Sequence, residues 1–313
     1  MQIKCKSMVK GRYNIQVVRP NGSVKIELEF DNLVTDFGLN LMGATVDYLR
    51  GCHVGSGSSP PSINDTALEV LVATANGLSG GTYDTYGSAQ ASPPYYIRHV
   101  VTFEFGEGAA EGNLSEVGVG LVSTSGGYLF SRALILDGAG DPTTITVLSD
   151  EILRVTYELR LYPPDADVSG SADISGASYN FTSRAANVTN FDSNQGWAML
   201  TAGTTGARHH SQSYFRAYED GTSLGDVYSQ PSGSYDNAQH GTETIEYVDQ
   251  SLEVSISKMF PVDEANFEGG IGAFLVNIGW GTYQIAVTPS IPKTSFDELT
   301  VEFIHSWGRY NSV

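Results

Sequence analysis

Apolar and polar residues alternate over residues 11–30, with the period of a strand that buries one face. The residues that share the first apolar face are Tyr13, Ile15 and Val17. The alternation stops at Asn21-Gly22 and resumes over residues 24–30. Asn-Gly tolerates positive φ angles and makes a tight turn, so this segment predicts a β-hairpin whose turn is Arg19–Ser23.

Short strand-like segments of the same kind recur along the chain. They cover residues 51–55, 95–105, 114–123, 127–136, 143–148, 151–162, 195–201, 212–218, 243–248, 251–260, 271–278, 282–288 and 298–306. The 35 Gly and 17 Tyr, together with abundant Val and Thr, favour strands joined by tight turns over helices. The sequence therefore predicts an all-β fold made of antiparallel β-sandwiches.

Residues 36–49 depart from this pattern. Leu39, Met42 and Val46 have roughly the spacing of one helix face, and Asp36 is a suitable N-cap. We therefore predict one short helix in the first half of the chain, which ends before Gly51.

The boundary between two domains is predicted after Pro163-Pro164. Proline has no amide hydrogen for a sheet ladder, so this pair ends the strand before it. Residues 164–171 have the composition of a linker, and a length of 313 residues suits two domains. We expect an N-terminal β-sandwich over residues 1–163 and a C-terminal β-sandwich over residues 172–313.

Parts of the two halves resemble each other. Residues 113–122 are similar to residues 266–276, and residues 153–160 are similar to residues 299–306, in the same order and with similar spacing. This similarity predicts that the two sandwiches arose by duplication. The alternative is that two β domains of similar composition align equally well by eye.

The chain is acidic, with a formal net charge of −18. Nucleic-acid binding needs Lys and Arg to neutralise phosphates, so we expect no reading of nucleic acid. The first residues lack the apolar run of a signal peptide, and no segment has the roughly 18–20 apolar residues of a membrane span. Cys5 and Cys52 are too few for a disulfide framework. We expect a soluble protein with two reduced cysteines that folds in a cytoplasm.

No motif in the sequence indicates an enzyme, a cofactor or a metal site. The segment Gly55–Ser59 lacks the Lys of a phosphate-binding loop, and Pro60-Pro61 follows it, which favours a surface turn. His209-His210 are adjacent, and adjacent strand residues face opposite sides, so they do not have the spacing of metal ligands. The chain has no Gly-x-Ser-x-Gly elbow, and its many acidic residues single out no catalytic carboxylate pair.

Residues 179–247 are rich in aromatic side chains. Tyr combined with Ser, Gly and Asn gives rigid contact area and adaptable hydrogen bonds, as in recognition surfaces. The candidate surface-recognition residues are Trp197, Tyr214, Tyr218, Tyr228 and Tyr235. The alternative is that most of the rings in this region pack the core of the second half.

A series of motifs in fixed order points to a family. The motifs are Asn32–Leu39, Cys52–Gly57, Ser59–Leu68, Gly112–Gly120 and Leu129–Ile135, and later Pro289–Thr294 with Ser306–Arg309. This series resembles the structural proteins of tailed phages that are labelled tail-fibre or minor tail proteins. The resemblance covers about half of the chain and is densest over residues 32–163.

The resemblance implies a virion protein of the phage tail, baseplate, collar or fibre attachment point that folds in the host cytoplasm. Its partners would be further copies of itself and other tail proteins, and the family supplies no catalytic residues. We expect a symmetric homo-oligomer joined by sheet packing and edge pairing, with residues 55–95 and the C-terminal strand as contact elements. The alternatives are a module that binds host-surface glycans through the 179–247 aromatics, and a polysaccharide hydrolase.

Overall fold

The computed structural model describes residues 2–44, 48–76, 83–87, 93–122, 128–174, 176–189, 197, 214–237, 243–278 and 280–310. The strands of the first half are β1 (Gln2–Val18), β2 (Val24–Asp31), β3 (Leu33–Val34), β4 (Gly51–Gly55), β5 (Leu71–Asn76), β6 (Tyr83–Gly87), β7 (Ile97–Phe105), β8 (Gly112–Leu114), β9 (Glu116–Gly120), β10 (Leu129–Leu134), β11 (Ile145–Val147) and β12 (Ile152–Tyr162). Those of the second half are β13 (Val168–Ile174), β14 (Ala177–Ala186), β15 (Tyr214–Glu219), β16 (Tyr235–Asn237), β17 (Glu243–Tyr247), β18 (Glu253–Phe260), β19 (Ile271–Ile278), β20 (Gly281–Ile291) and β21 (Leu299–Arg309). The described helix is α1 (Asp36–Ala44). The fold is all-β with one short helix, as the composition and periodicity predict.

The described strands form three sheets and a two-stranded ladder of β8 and β11. The long sheet has the order β17-β18-β21-β1-β12-β7-β6, and β2 also pairs with β1. The first-half sheet has the order β3-β10-β9-β4-β5, and the second-half sheet has the order β13-β14-β20-β19-β15-β16. The pairing of β1 with β21 is parallel, whereas the other strand pairs in the described part of the chain are antiparallel.

Strand β1 is shared by the two halves of the fold. Its first part pairs with β21 and its second part with β12, and the odd-numbered residues from Ile3 to Val17 are buried along its length. One face of β1 therefore contributes to both cores. Tyr13 Oη lies 2.8 Å from Ser131 Oγ of the first-half sheet, whereas Cys5 Sγ lies 3.4 Å from Ser183 Oγ of the second-half sheet. Two sandwiches are thus built on one continuous sheet.

The shared strand changes the predicted division of the chain. Residues 168–171, which belong to the predicted 164–171 linker, lie in β13 and pair with β14. The linker prediction is wrong for these residues, because a short edge strand rich in Ser and Gly has the composition of a loop. Each half still has its own sandwich, but β1, from the first half, also pairs with the last strand of the second half.

The two halves follow the same path through the sheets. β7 and β12 pair in the long sheet, while the β9–β10 hairpin lies in the facing sheet; β18, β21 and the β19–β20 hairpin repeat this arrangement. The registers also correspond, because Phe105 lies opposite Leu153 and Phe260 lies opposite Leu299. This equivalence is what the predicted duplication requires.

Helix α1 begins at Asp36, as predicted, and is described as far as Ala44; residues 45–47 of the predicted helix lie outside the described residues. Its N-cap is Thr35 and not the predicted Asp36, because the Thr35 hydroxyl accepts the N–H of Gly38 at 2.8 Å. The same hydroxyl donates to the carbonyl of Leu129 at 2.7 Å. The cap therefore also fastens the start of the helix to β10.

Gly38 lets the helix approach β10 closely, and we expect Gly38→Ala to destabilise the fold. An added Cβ would lie 2.1 Å from the carbonyl oxygen of Phe130, which is backbone and cannot rotate away. Overpacking of this kind costs about 1–3 kcal/mol, which exceeds the roughly 1 kcal/mol that Ala gains over Gly in a helix. Urea denaturation followed by circular dichroism measures the loss.

The matched control for this prediction is Gly138→Ala. A Cβ at Gly138 has no heavy atom within 4 Å. Its unfolding free energy should stay within about 1 kcal/mol of the parent protein. Equal stability of the two variants would contradict the close approach of α1 to β10.

Cys5 and Cys52 are buried free thiols, which confirms the prediction of two reduced cysteines. Burial raises the pKa of the Cys5 thiol to about 12 and raises the pKa of Cys52 as well. Both side chains therefore act as small core residues, since the reactive thiolate form is suppressed.

Candidate functional site: a loop held by Glu116 and Arg132

Motifs that are far apart in the sequence meet in the first-half sheet. Strands β4, β9 and β10 are neighbours there, and the 56–70 loop connects β4 to β5. Gly55, at the end of β4, lies opposite Glu116, the first residue of β9. Arg132 lies on the adjacent strand β10. The 56–70 loop therefore leaves the sheet beside a buried glutamate, Glu116, and a buried arginine, Arg132.

Glu116 is fully buried and anchors both ends of the 56–70 loop. Its Oε1 accepts the N–H of Gly57 at 3.0 Å and the N–H of Val70 at 2.8 Å, and its Oε2 accepts the N–H of Glu69 at 3.1 Å. Arg132 completes the set, with Nε 3.0 Å and Nη2 2.8 Å from Oε2. A buried carboxylate needs such a complete set of donors to be held as an anion.

Arg132 is buried as well and links Glu116 to the middle of the loop. Its Nη1 donates to Asp65 Oδ2 at 2.7 Å, and its Nη2 donates to the carbonyl and the hydroxyl of Ser59, each at 3.2 Å. Burial alone would lower the pKa of Arg132, but the hydrogen bonds and charges of Asp65 and Glu116 outweigh it and raise the pKa. The guanidinium is thus a permanent cation that ties the loop to β10.

A second layer of contacts fixes the outer part of the loop. Glu69 Oε2 accepts the N–H of Ser58 at 2.8 Å and that of Ser59 at 2.7 Å, and these bonds, that of Ser59 first, lower the pKa of Glu69. Gly57 has no room for a side chain, since a Cβ would lie 2.4 Å from Glu116 Oε1. The backbone of the loop is therefore held from several sides.

This arrangement gives the 56–70 loop a fixed surface. The oxygens of Glu116 and the N–H groups of Arg132 are directed at partners within the protein. The residues that the loop exposes to solvent are Ser56, Ser58, Pro60, Ser62, Ile63, Asn64, Thr66, Ala67, Glu69 and Val70. The loop is a surface element, as its composition predicts. The roles of Glu116 and Arg132 were not predicted, although an acid and a base within otherwise apolar strands are a signal of such a pair.

Strand β5 follows the loop and lies at the end of the first-half sheet. It pairs with β4 and ends the strand order of that sheet in the part of the chain that the structure describes. Its sequence, Leu71–Asn76, has no charged residue and no proline, and Val70 and Val72 are 49% and 40% exposed. Edge strands normally carry charges or proline that prevent pairing with another chain, and β5 carries neither.

The C-terminal strand does not fit its predicted role as a contact element. β21 lies between β18 and β1 in the long sheet, so both of its edges are occupied within the chain. Sequence alternation showed the strand, but it could not show that the N-terminal strand covers its second edge.

The structure separates the five aromatic residues predicted for recognition. Trp197 and Tyr218 are buried, and Trp197 Nε1 donates to the carbonyl of Ala186 at 2.8 Å, so these two belong to the core and their predicted surface role is wrong. The side chain of Tyr214 lies outside the described residues. Tyr228 is 38% exposed, and Tyr235 is 47% exposed with the Arg216 guanidinium 4.2 Å from its ring centroid. Which of these aromatic side chains are buried depends on how the strands pack, and the aromatic content of the segment does not reveal this.

Among the described residues, no group of three or more His, Cys, Asp and Glu side chains could hold a metal ion, and His209-His210 lie outside those residues. Within the same part of the chain, no helix combines the length and the apolar character that crossing a membrane requires. Comparison of the chain with protein-family models, with curated proteins and with solved structures finds no match.

Proposed function

We propose that this protein is a structural component of a tailed-phage virion, located in the tail, baseplate, collar or fibre attachment region. The observation that carries the proposal is the buried pair Glu116–Arg132, which comes from two of the family-like motifs and immobilises a third, the 56–70 loop. A virion protein needs surfaces of fixed shape, and a loop that is ordered before contact loses little conformational entropy on assembly.

The uncharged, proline-free sequence of β5 at the end of the described strand order supports an assembly role in a symmetric homo-oligomer. An exposed edge offers main-chain donors and acceptors to a strand of a neighbouring subunit, and exposed side chains such as Val72 add apolar contact. The 56–70 loop and β5 are consecutive in the chain, so they form one contact surface. Copies arranged around a symmetry axis would bury this surface in each interface and meet other tail proteins above and below.

Two measurements test this proposal. Mass spectrometry of purified particles of the phage that encodes the chain should find the protein in a copy number that matches the symmetry of the tail. Sedimentation of the purified protein should give a multiple of the 33.5 kDa chain mass. Val72→Lys, which places a charge on the β5 edge, should shift the protein to the monomer mass with an unchanged circular dichroism spectrum.

The matched control is Val248→Lys, because Val248 is 67% exposed and lies in the turn between β17 and β18. This variant should keep the oligomer mass. Absence of the protein from purified particles would refute the virion assignment, and an oligomer that tolerates Val72→Lys would refute the role of β5.

A second candidate function is binding of a host-surface glycan through Tyr228 and Tyr235. The observation that favours it is the exposed ring of Tyr235, which is held by Arg216 and by Tyr218, whose ring centroid is 5.4 Å away. Titration calorimetry of the full chain with purified host-envelope polysaccharide tests it. Saturable binding that Tyr235→Ala weakens at least about tenfold supports this function, whereas release of sugar fragments would instead identify a hydrolase.

A further inference from the structure

Phe296 is the most exposed large apolar residue of the described chain, with 92% of its surface open to solvent. Exposing a Phe side chain to water instead of burying it is unfavourable. The equivalent turn of the first half, between β11 and β12, carries Leu148, which is 50% exposed. A large apolar side chain held almost wholly in water is a candidate contact residue where further apolar side chains lie beside it.

The turn that carries Phe296 is rigid. The Thr294 hydroxyl donates to Asp297 Oδ2 at 2.6 Å, and the N–H of Asp297 donates to the Thr294 carbonyl at 3.1 Å. The N–H of Phe296 itself donates to Thr294 Oγ1 at 3.3 Å. The backbone under the ring is therefore fixed, and the exposure of the ring is a property of the folded protein.

Further apolar side chains lie beside this turn. Lys293 joins the turn to residues 261–268, since its Nζ donates to the carbonyl of Pro261 at 2.7 Å and to Asn266 Oδ1 at 3.0 Å. Asn266 in turn donates to the carbonyl of Val262, which is 42% exposed. Phe267 and residues 292–295 line one shallow cleft of about 420 Å³. Phe267 is half-buried and also packs against the core. We call Val262, Phe267 and Phe296 the apolar patch.

The two segments that carry the apolar patch also carry acidic residues. They are Asp263, Glu268, Asp297 and Glu298, all exposed. Lys293, the basic residue among them, is buried, and it directs its ammonium group into the protein. The apolar patch therefore lies on segments that also carry four exposed acids.

From this combination we propose that the apolar patch is a docking site for a protein partner that has an apolar socket rimmed by Lys and Arg. Phe296 would fill the socket, as buried aromatic residues do at interface hot spots, and the four acids would pair with the basic rim. The inference goes beyond assembly through β5, because the patch lies on different turns of the second half.

Charge argues for a different protein as the occupant and against a second copy of this chain. The chain has a net charge of −18. Many of its basic residues are engaged with its own acids, namely Lys10, Arg12, Lys25, Arg98, Arg132, Arg154, Arg160, Arg184 and Arg309. A second copy would thus bring more negative charge to the four acids. An anionic lipid surface is disfavoured for the same reason.

Photo-crosslinking in the cells that naturally make the protein tests the proposal. The photoreactive residue p-benzoylphenylalanine replaces Phe296, and in the control it replaces Leu148. We expect an adduct at position 296, and not at 148, with a peptide of another protein that contains Lys or Arg beside apolar residues. The charge reversals Glu268→Lys and Glu298→Lys, which leave the hydrogen bonds of the turn intact, should reduce its yield several-fold.

Three results would overturn the proposal. The first is an adduct between two copies of this chain, and the second is an adduct yield at position 296 no higher than at position 148. The third is an adduct with another protein that the charge reversals do not reduce. Circular dichroism of each variant shows that the fold is retained, and because the adduct needs no assembled particle, failure here is separate from failure of the virion assignment.

Discussion

Arg132→Met should lower the unfolding free energy by about 3–5 kcal/mol, because it leaves the carboxylate of Glu116 buried without its cation. Glu116 is fully buried, and Arg132 Nε and Nη2 supply two of its hydrogen bonds. The change also removes the bonds from Arg132 to Asp65 and Ser59, so the 56–70 loop loses its central attachment. Urea denaturation followed by circular dichroism and by tryptophan fluorescence measures the effect.

Circular dichroism reports on the strands of both halves, whereas tryptophan fluorescence reports mainly on the second half and, through the hydrogen bond from Trp307 to Leu39, on helix α1. Trp197, Trp280 and Trp307 all belong to the second half, whereas Arg132 belongs to the first. Because β1 joins both sandwiches, the fluorescence transition should shift to lower urea together with the transition in circular dichroism. A fluorescence transition that stays in place would show that the halves unfold independently.

Arg154→Met is the control for the buried pair. Arg154 and Glu104 form an ion pair whose side chains are 41% and 44% exposed. Exposed pairs of this kind contribute about 0–1 kcal/mol, so this variant should be close to the parent protein. A loss for Arg132→Met that is no larger would contradict the burial of Glu116.

Phe303→Ala should cost about 3–5 kcal/mol, the usual range for removing a buried ring from a core. Phe303 is fully buried on β21, with ring centroids 5.5 Å from Phe215 and 5.8 Å from Phe274 of the second-half sheet. The cavity would lie where the long sheet meets the second-half sheet. The unfolding free energy from urea denaturation gives the magnitude.

Phe296→Ala is the matched control, since it makes the same substitution at a side chain that is 92% exposed. Its unfolding free energy should remain within about 0.5 kcal/mol of the parent protein. Destabilisation comparable to that of Phe303→Ala would show that Phe296 is buried in solution, which would also remove the basis of the proposed docking site.

Local features of the fold could be predicted from the sequence because they depend on local patterns. Alternation around Asn21-Gly22 gave the β1–β2 hairpin, and strands β4 and β19 occupy the predicted residues. Helical spacing after Asp36 gave the helix. In each case neighbouring residues in the chain determine which face is buried, so periodicity carries the information.

Features that depend on distant residues could not be predicted. The pairing of Ile3 with Phe303 joins residues 300 positions apart. Nothing in the sequence of either strand identifies the strand with which it pairs. Thr35 caps the helix in place of Asp36 because its hydroxyl also reaches Leu129. The candidate site combines both cases: the loop was evident from its composition, but the burial of Glu116 follows only from the order of β4, β9 and β10.

The parallel pairing of β1 with β21 has a mechanical consequence. Gln2 pairs with Glu302 and Val9 pairs with Arg309, so Gln2 and Arg309 lie at opposite ends of the ladder. A tension that draws these two residues apart therefore runs along the strands and loads the hydrogen bonds of the ladder together in shear. An antiparallel hairpin pulled by its two ends opens one bond after another instead. The β1–β21 ladder should therefore resist a force applied along its strands more strongly than a force applied across them.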